Sequence, residues 1–421
     1  MDIKTLNAIN LQKKKSYHNL LIFSLLVFQI VGIFLAILKN DEITYNALYG
    51  SFAFIIFSLL VSIYIPKLTK GDSTFIFLVN FLYSISLVIL LRLDSSTAFK
   101  HILWYFLGIF VFFIVYNIMK YFGKYLKDKF WLYFAITLLT FLATLVLGFT
   151  SGGAKNWISI GGFFTIQLSE FAKISYVFMI ASFYNNYDDF VKRKFGKYYL
   201  VFSTYLFSGL FFLQGELGTA VLLFAIMLGT MFIFERRYTF IILNILIGLV
   251  GVYLASFVLS HIKVRIDIWL NPWSDANGRG YQIIQGLFSI ANGGFFGTGI
   301  GLGRPELVPV VESDFIITAI MEEMGIFMGF SILMMYILMF YKSIKVSLQL
   351  KSKFYSSLAL SIGLLFAMQT LIIFGGVLKL IPLTGITTPF LSYGGSSMIA
   401  NFALLSVLQY LTARSGDWDG N

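Results

Sequence analysis

The chain has 421 residues, of which 58% are hydrophobic and only 12% are charged. Soluble domains carry about 25% charged residues, so this composition excludes a water-facing surface over most of the chain. The formal charge of +11 does not indicate a nucleic-acid partner, because the basic residues are scattered between apolar runs. The absence of cysteine excludes disulfides and thiolate metal sites. We therefore expect a single membrane-embedded domain over residues 1–421.

Apolar runs of membrane-spanning length recur along the whole chain. A helix needs about 20 apolar residues to cross the hydrocarbon core of a bilayer. Twelve runs approach or exceed this length: 18–38, 45–65, 74–92, 98–119, 130–149, 168–184, 197–213, 218–234, 238–260, 314–341, 354–378 and 394–412. The pattern predicts an all-α polytopic membrane protein with about 12 transmembrane helices. A large structured outer loop, 261–313, separates spans 9 and 10.

The basic residues predict the orientation of these spans. Of the 31 Lys and Arg residues, 21 fall on the side that carries both termini, nine fall on the other side, and Lys173 lies inside a span. The positive-inside rule then makes both termini cytoplasmic. Three segments rich in Gly or Pro, 150–167, 261–313 and 379–393, become outer segments, and we expect function to concentrate there. The first of them suggests a folded hairpin or interfacial turn.

Two groups of ionisable residues lie where lipid is expected. Glu170 and Lys173 share one helix face and could form an ion pair, either as part of a functional site or as a lock between two helices. Asp314 opens the tenth span, where an acid also suits a helix N-terminus. Glu322 and Glu323 lie deeper in that span. Either they bond backbone and polar groups in a broken bundle, or they line a cavity with Lys173 and Asp275.

The 261–313 loop combines an acid with several cations. Asp275 shares the loop with Lys263, Arg265, Arg279 and Arg304, while apolar stretches alternate with Gly clusters as in amphipathic surface helices. No GxxxxGK[ST] motif occurs, so the glycines do not indicate a nucleotide-binding P-loop. Cations beside a carboxylate suit a substrate with a diphosphate and a sugar hydroxyl. Solvated loop charges would give the same pattern.

Six blocks in the second part of the chain resemble a known family. They are GAKNWISIGGFFTIQLSEFAK (153–173), QGELGTA (214–220), NPWSDANGRGYQIIQG (271–286), ANGGFFGTGIG (291–301), ESDFIITAIMEEMG (312–325) and IPLTGITTPFLSYGGSSMIANF (381–402). The blocks and their order resemble the SEDS family, the FtsW and RodA type of bacterial cell-wall proteins. The resemblance covers most of residues 150–412, the expected catalytic core. The family core commonly has ten spans, so residues 18–119 are expected to include an extra pair.

This resemblance implies a peptidoglycan glycosyltransferase that polymerises lipid II at the outer face of the bacterial cytoplasmic membrane. Asp275 occupies the position of the family's essential loop acid, Glu170 and Lys173 match another important block, and Arg265 matches a basic position. Leu168 replaces a usual Pro, and Gly215 and Glu216 replace a usual Pro-Asp pair, which leaves the local helix starts open.

The resemblance leads to a mechanistic hypothesis. Asp275 would act as general base in an inverting reaction that forms β-1,4 bonds. Arg265 is the first candidate to bind the diphosphate; the other substrate-binding candidates are Lys173, Glu170, Arg279 and Lys155. A divalent cation, Mg²⁺ or Mn²⁺, would suit the leaving diphosphate, although its ligands cannot be assigned from spacing. The hydroxyls of Ser392, Ser396 and Ser397 either pack closely or contact substrate.

The resemblance also implies partners. These are a class B penicillin-binding protein as cognate transpeptidase and other elongasome or divisome membrane proteins. Two other functions stay open from the residues alone: a flippase or transporter of a lipid-linked precursor, and a ligase or polymerase of another lipid-linked envelope polysaccharide. A transporter would need a cavity that opens alternately to both faces, whereas the outer loops favour chemistry on one face.

Overall fold

The computed structural model describes residues 3–40, 42–151, 154–160, 164–235 and 237–416. This part of the chain is an all-α polytopic membrane fold with one small sheet. Ten of its helices are long and apolar enough to cross a membrane. The all-α membrane fold expected from composition is therefore confirmed.

The first five helices precede the sheet. They are α1 (Ile3–Lys39), α2 (Tyr45–Thr69), α3 (Ser73–Leu93), α4 (Ser95–Phe122) and α5 (Phe130–Leu147). Aspartate side chains cap the N-termini of two of these helices. The Asp72 carboxylate accepts the Thr74 N–H at the start of α3, and Asp94 accepts the Ser96 and Thr97 N–H groups at the start of α4. Such caps satisfy backbone donors that a helix start leaves unpaired.

A three-stranded antiparallel sheet follows α5. It contains β1 (Phe149–Ser151), β2 (Ala154–Ile160) and β3 (Phe164–Gln167), in the order β1-β2-β3. Trp157 of β2 pairs with Gln167 of β3, immediately before the next helix begins. This sheet is the folded hairpin expected from the Gly-rich segment. It fixes the start of the helix that carries Glu170 and Lys173.

The remaining elements include the large loop. Five helices follow the sheet: α6 (Leu168–Asn185), α7 (Tyr187–Val191), α8 (Tyr199–Leu213), α9 (Leu217–Phe234) and α10 (Tyr238–Val258). The loop then contains α11 (Ser260–Leu270), a 3₁₀-helix (Pro272–Asp275), α12 (Tyr281–Gly293) and a second 3₁₀-helix (Pro305–Leu307). The last helices of the described part are α13 (Ile316–Gln349), α14 (Lys353–Val377) and α15 (Gly395–Ser415). Two further 3₁₀-helices, Gly123–Leu126 and Gly196–Tyr198, precede α5 and α8.

Each of the twelve predicted spans overlaps one long helix. Among the described helices, α6 and α8 fall outside the ten that qualify as spans by length and composition. They have 18 and 15 residues, and α6 carries two charged residues near its start. A count of twelve crossings therefore stays a prediction.

Helix α13 is broken at Gly325. The φ of 83° and ψ of 166° at this residue interrupt the helical backbone. Thr298 and Gly299 of the large loop donate their N–H groups to the freed carbonyls of Glu322 and Glu323, at 2.9 Å each. Backbone at membrane depth must find such partners, because lipid offers none. The large loop is thus joined to the break by backbone hydrogen bonds.

Four helices, α3, α6, α14 and α15, form the buried centre of the bundle. Most of each is covered by other parts of the protein, whereas α10 is mostly exposed. Between α14 and α15, residues 378–394 are non-helical. Gln369 donates to the carbonyl of Thr387 at 2.6 Å, and Ser392 donates to that of Ser313 at 2.6 Å. This segment lies between the core helices and the large loop.

Candidate functional site

Glu170 and Lys173 form a buried ion pair on the first turns of α6. Lys173 Nζ lies 2.7 Å from Glu170 Oε2, and the two side chains are 2% and 5% exposed. Lys173 also donates to Gln369 Oε1 at 3.3 Å. The spacing of three residues put both groups on one face, and burial leaves them few partners besides each other.

A chain of polar contacts connects this pair to the 378–394 segment. Gln369 of α14 receives a hydrogen bond from Lys173 and donates one to the carbonyl of Thr387. The hydroxyl of Thr387 lies 2.7 Å from that of Ser397, and Asn401 donates to Ser397 at 3.2 Å. The ion pair is therefore linked to the non-helical segment by hydrogen bonds through Gln369 of α14. Sequence reasoning did not identify Gln369, because an amide inside an apolar run has no motif of its own.

Arg265 contacts the same segment at Leu383. Its guanidinium donates to the carbonyl of Leu383 at 2.7 Å, and it is near enough to Asp314 for their charges to attract. Burial raises the pKa of Asp314 to about 6, and the Ser313 hydrogen bond and the Arg265 charge offset only part of that rise. Burial likewise lowers the pKa of Arg265, while the charge of Asp314 opposes the change. Arg265 thus bonds the large loop to the 378–394 segment, and the charge of Asp314 lies beside it.

Asp275 is exposed at the tip of the large loop. It ends the 3₁₀-helix that begins at Pro272, and its Oδ2 accepts the backbone N–H of Arg279 at 3.1 Å. The side chain of Arg279 is also exposed. In the described part of the chain, no hydrogen bond or ion pair joins Asp275 to Lys173, Arg265 or Glu322. The carboxylate is therefore held by backbone but open to a ligand.

Glu322 and Glu323 are buried at the break in α13. Glu322 accepts the Ser289 hydroxyl at 2.5 Å and the Arg304 N–H at 2.9 Å. Glu323 lies 3.4 Å from Nε of Arg92, which reaches it from α3. These contacts correspond to the first alternative, in which the acids bond backbone and polar groups around a broken helix. Arg92 is one of the nine basic residues on the side opposite the termini, and the sequence did not indicate a partner for it.

The remaining predicted residues have mainly backbone and hydroxyl partners. Ser396 accepts the Gln167 N–H at 3.0 Å, which joins the start of α15 to β3. Ser392 accepts the Thr388 N–H at 2.8 Å besides donating to Ser313. Lys155 lies in β2, but its side chain falls outside the described part of the structure. These serines thus bond neighbouring backbone around the site, and their contact with substrate stays a prediction.

A further buried acid, Glu216, was noted in the sequence only as a departure from the family pattern. It accepts a hydrogen bond from Asn156 of β2, and Gln167 and Thr219 donate to it at 3.4 and 2.9 Å. The acid therefore ties the sheet to the start of α9. Its signal in the sequence was a charge at the end of an apolar run.

The expected divalent cation has no protein cage in the described residues. No group of three or more His, Asp or Glu side chains there could hold a metal ion. Magnesium is often held by one or two carboxylates together with substrate phosphates. The protein side chains alone therefore do not show whether this cation binds. The cation stays a prediction.

Two mycobacterial proteins are similar to much of this chain. It is 36% identical over 270 residues to "Peptidoglycan glycosyltransferase RodA" of Mycobacterium tuberculosis (strain ATCC 25618 / H37Rv), covering 61% of this chain and 57% of that protein. It is 31% identical over 396 residues to the RodA protein of Mycobacterium leprae (strain TN), covering 88% and 84%. The match to the tuberculosis protein thus spans under two thirds of that protein's length.

The fold and a family model agree with these relatives. A solved structure described as "Structural coordination of polymerization and crosslinking by a peptidoglycan synthase complex" superposes with a TM-score of 0.68 at 22% identity. The match covers 82% of this chain and 98% of that one. The FtsW/RodA/SpoVE model, described as "Cell cycle protein", matches residues 68–416, so the family expected from the six sequence blocks is confirmed. This chain belongs to the FtsW/RodA/SpoVE family of cell cycle proteins.

Proposed function

We propose that this protein is a peptidoglycan glycosyltransferase that polymerises lipid II into β-1,4-linked strands. The observation that carries the proposal is the exposed carboxylate of Asp275, held by a backbone N–H on the large loop of a membrane protein. A general base must reach the hydroxyl whose proton it takes. Family membership and the name of the mycobacterial relatives support the same activity.

Asp275 has the first role in the proposed reaction. Its carboxylate takes the proton from the 4-hydroxyl of the acceptor N-acetylglucosamine. The oxygen attacks the anomeric carbon of the terminal N-acetylmuramic acid on the donor chain, and the bond to the α-linked diphosphate breaks. The new β-1,4 bond forms with inversion, and the diphosphate leaves with the bonding electron pair. The proton ends on Asp275 and then passes to solvent, which reaches this exposed group.

Cations must stabilise the leaving diphosphate in this scheme. Arg265 is our first candidate, because the carbonyl of Leu383 and the charge of Asp314 hold its guanidinium in place. Fixed donors stabilise developing charge better than mobile ones, because they need no reorganisation during the reaction. Arg279 and Lys155 are further candidates near the outer face. Glu170 and Lys173, by contrast, would act through Gln369 by ordering the 378–394 segment.

Membrane topology is part of the proposal. The described helices make this a multi-pass membrane protein. We place it in the bacterial cytoplasmic membrane with both termini in the cytoplasm, because 21 basic residues lie on the side of the termini. Asp275 then faces the outside, where the chemistry would occur. Single cysteines introduced into the 261–313 loop should react with an impermeant label in intact cells. Reaction only after lysis would reverse this assignment.

The partner proposal is a class B penicillin-binding protein. It is supported by the structural likeness to a complex described as a peptidoglycan synthase. The expected result is co-purification of one such transpeptidase with this protein from its own membranes. Recovery without any transpeptidase would count against it. Elongasome or divisome membrane proteins would be found in the same preparation.

The activity test uses purified protein and labelled lipid II. We expect glycan strands from wild type and a rate loss of about 10² to 10⁴ with Asp275→Ala, as for loss of a general base. Asp275→Asn keeps a hydrogen-bond acceptor for the Arg279 N–H but not the base, so it should lose the same activity while keeping the loop intact.

The matched control is Asp267→Ala, which removes another exposed acid of the same loop. Its rate should stay near that of wild type. Lipid II transport into vesicles without polymerisation would overturn the enzyme and favour a flippase. Polymerisation of another lipid-linked saccharide, with lipid II left untouched, would favour a polymerase of a different envelope polymer.

A further inference from the structure

A cavity of about 490 Å³ lies in the large outer loop, outside the contacts described for Asp275 and Arg265. Its walls come from α12, from residues 298–308 and from the break in α13. The volume falls in the range of ligand pockets in proteins. We propose that this cavity binds sugar units of the glycan strand and thereby sets strand length. The inference rests on the proposed glycosyltransferase activity.

The polar wall suits the hydroxyl and acetamido groups of a sugar. Gln285 and Asn292 line the cavity, and within the described residues neither side chain has a hydrogen-bond partner. Each amide offers both a donor and an acceptor. Thr298 and Ser289 add hydroxyls to the same wall. A sugar unit needs this mixture, because its own groups are also donors and acceptors.

The charge of the wall favours a neutral ligand. Arg304 and Glu322 are the charged lining residues in the described structure, and their charges are opposite. Both oxygens of Glu322 are engaged, by the Ser289 hydroxyl and by the Arg304 N–H. These bonds fix the wall before a ligand arrives, which reduces the cost of ordering it on binding. A phosphate would instead favour several free cations.

An aromatic pair connects the cavity to the proposed base. Phe288 lines the cavity and is exposed, and its ring centroid lies 6.0 Å from that of Trp273. Trp273 is 61% exposed and shares a 3₁₀-helix with Asp275. Exposed rings next to polar groups can pack against the C–H face of a pyranose while the amides bind its hydroxyls. A strand held at Asp275 could therefore continue along Trp273 and Phe288 into the cavity.

The test measures strand length and sugar binding separately. The variant is Gln285→Ala with Asn292→Ala, and the control is Asn46→Ala with Gln349→Ala, two exposed amides outside the cavity. Wild type and control should make strands of equal length from labelled lipid II. The cavity variant should make shorter strands for the same amount of lipid II consumed. Equal lengths in all three proteins would overturn the inference.

A binding measurement keeps the inference distinct from the proposed activity. Lipid-free glycan fragments of defined length are added to each protein, and binding is measured by native mass spectrometry. Loss of two hydrogen bonds should weaken binding of the cavity variant roughly tenfold or more. If the wild-type protein binds fragments but makes no strands, the proposed activity is contradicted, while the cavity remains a sugar-binding site. Undiminished binding by the variant would reject the sugar site. Loss of a transpeptidase partner by the variant, with glycan binding unchanged, would also reject it and would instead identify a protein-docking surface.

Discussion

Two ion pairs with the same spacing lie in very different surroundings. Lys173 and Glu170, at the start of α6, are separated by 2.7 Å and are 2% and 5% exposed. Lys192 and Asp189, at the end of α7 and within it, are separated by 3.0 Å and are 75% and 74% exposed. Spacing and partners are alike, so burial is the main difference between the pairs.

That difference determines what each pair can do. Water screens the exposed pair, and holding two long side chains together costs entropy, so its net contribution is small. The buried pair has lost its hydration, and each charge depends on its partner. The buried pair also reaches Thr387 through Gln369, whereas the exposed pair contacts no functional segment in the described structure. A charge motif in the sequence is therefore informative only when its burial is known.

The largest expected effect is that of Lys173→Ala. This change leaves Glu170 buried without its cation and should lower the free energy of unfolding by about 3 to 5 kcal/mol. Thermal unfolding of the protein in detergent micelles measures the loss. A melting temperature equal to that of wild type would remove the distinction between the two pairs.

The control for this variant replaces both charges, as Glu170→Leu with Lys173→Met. Apolar side chains of similar size should recover most of the lost stability, because no buried charge remains. Glycan synthesis by this double variant then separates the two interpretations left open by the sequence. A stable but inactive protein assigns the pair to function, whereas a stable and active one makes it a helix lock.

Asp314 extends the comparison to pH. Its folded-state pKa of about 6 exceeds its ordinary value of 3.8 because it is buried. Between these values the folded protein binds more protons than the unfolded chain. The contribution of Asp314 to stability is thus complete below about pH 4 and is lost as the pH rises through 6. A pKa difference of about 2 corresponds to about 3 kcal/mol.

Unfolding of wild type and Asp314→Asn between pH 4 and 7 tests this expectation. The stability of wild type relative to the variant should decline across that range, because Asn does not titrate. Parallel curves would show that Asp314 is ionised throughout, as a well-compensated partner of Arg265 would be.

The smallest expected effect is that of Lys192→Ala. Loss of the exposed pair should change the free energy of unfolding by at most about 0.5 kcal/mol, and added salt should reduce even that change. The same melting experiment, at low and high salt, measures it. A loss comparable with that of Lys173→Ala would show that spacing, rather than burial, governs both pairs.

Local chemistry made much of the fold predictable. Apolar run length places a helix at each predicted span, and charge content identifies the membrane. The Gly-rich segment before α6 signalled a folded hairpin, which is the β1-β2-β3 sheet. The break at Gly325 was not predicted, because a single glycine in an apolar run is compatible with a continuous helix. At this break the backbone of the large loop pairs with the freed carbonyls, a contact between distant segments that the local pattern does not contain.

The candidate site was predictable in its residues but not in its arrangement. Asp275, Arg265, Glu170 and Lys173 were recognisable from charge and from family-like blocks. Their partners were not, because Gln369 and Leu383 have no signature and lie far away along the chain. Contacts between distant segments depend on how helices pack, which local periodicity does not specify.

The sequence by itself determined that this is a polytopic membrane protein and which family it belongs to. It also predicted which face of the membrane carries the basic loops. These properties follow from hydropathy, charge and contiguous motifs, all of which are local along the chain. Tertiary structure alone decided which charges are buried and which are exposed. Burial depends on every neighbouring helix, so only the folded chain distinguishes the enclosed Glu170–Lys173 pair from the open carboxylate of Asp275.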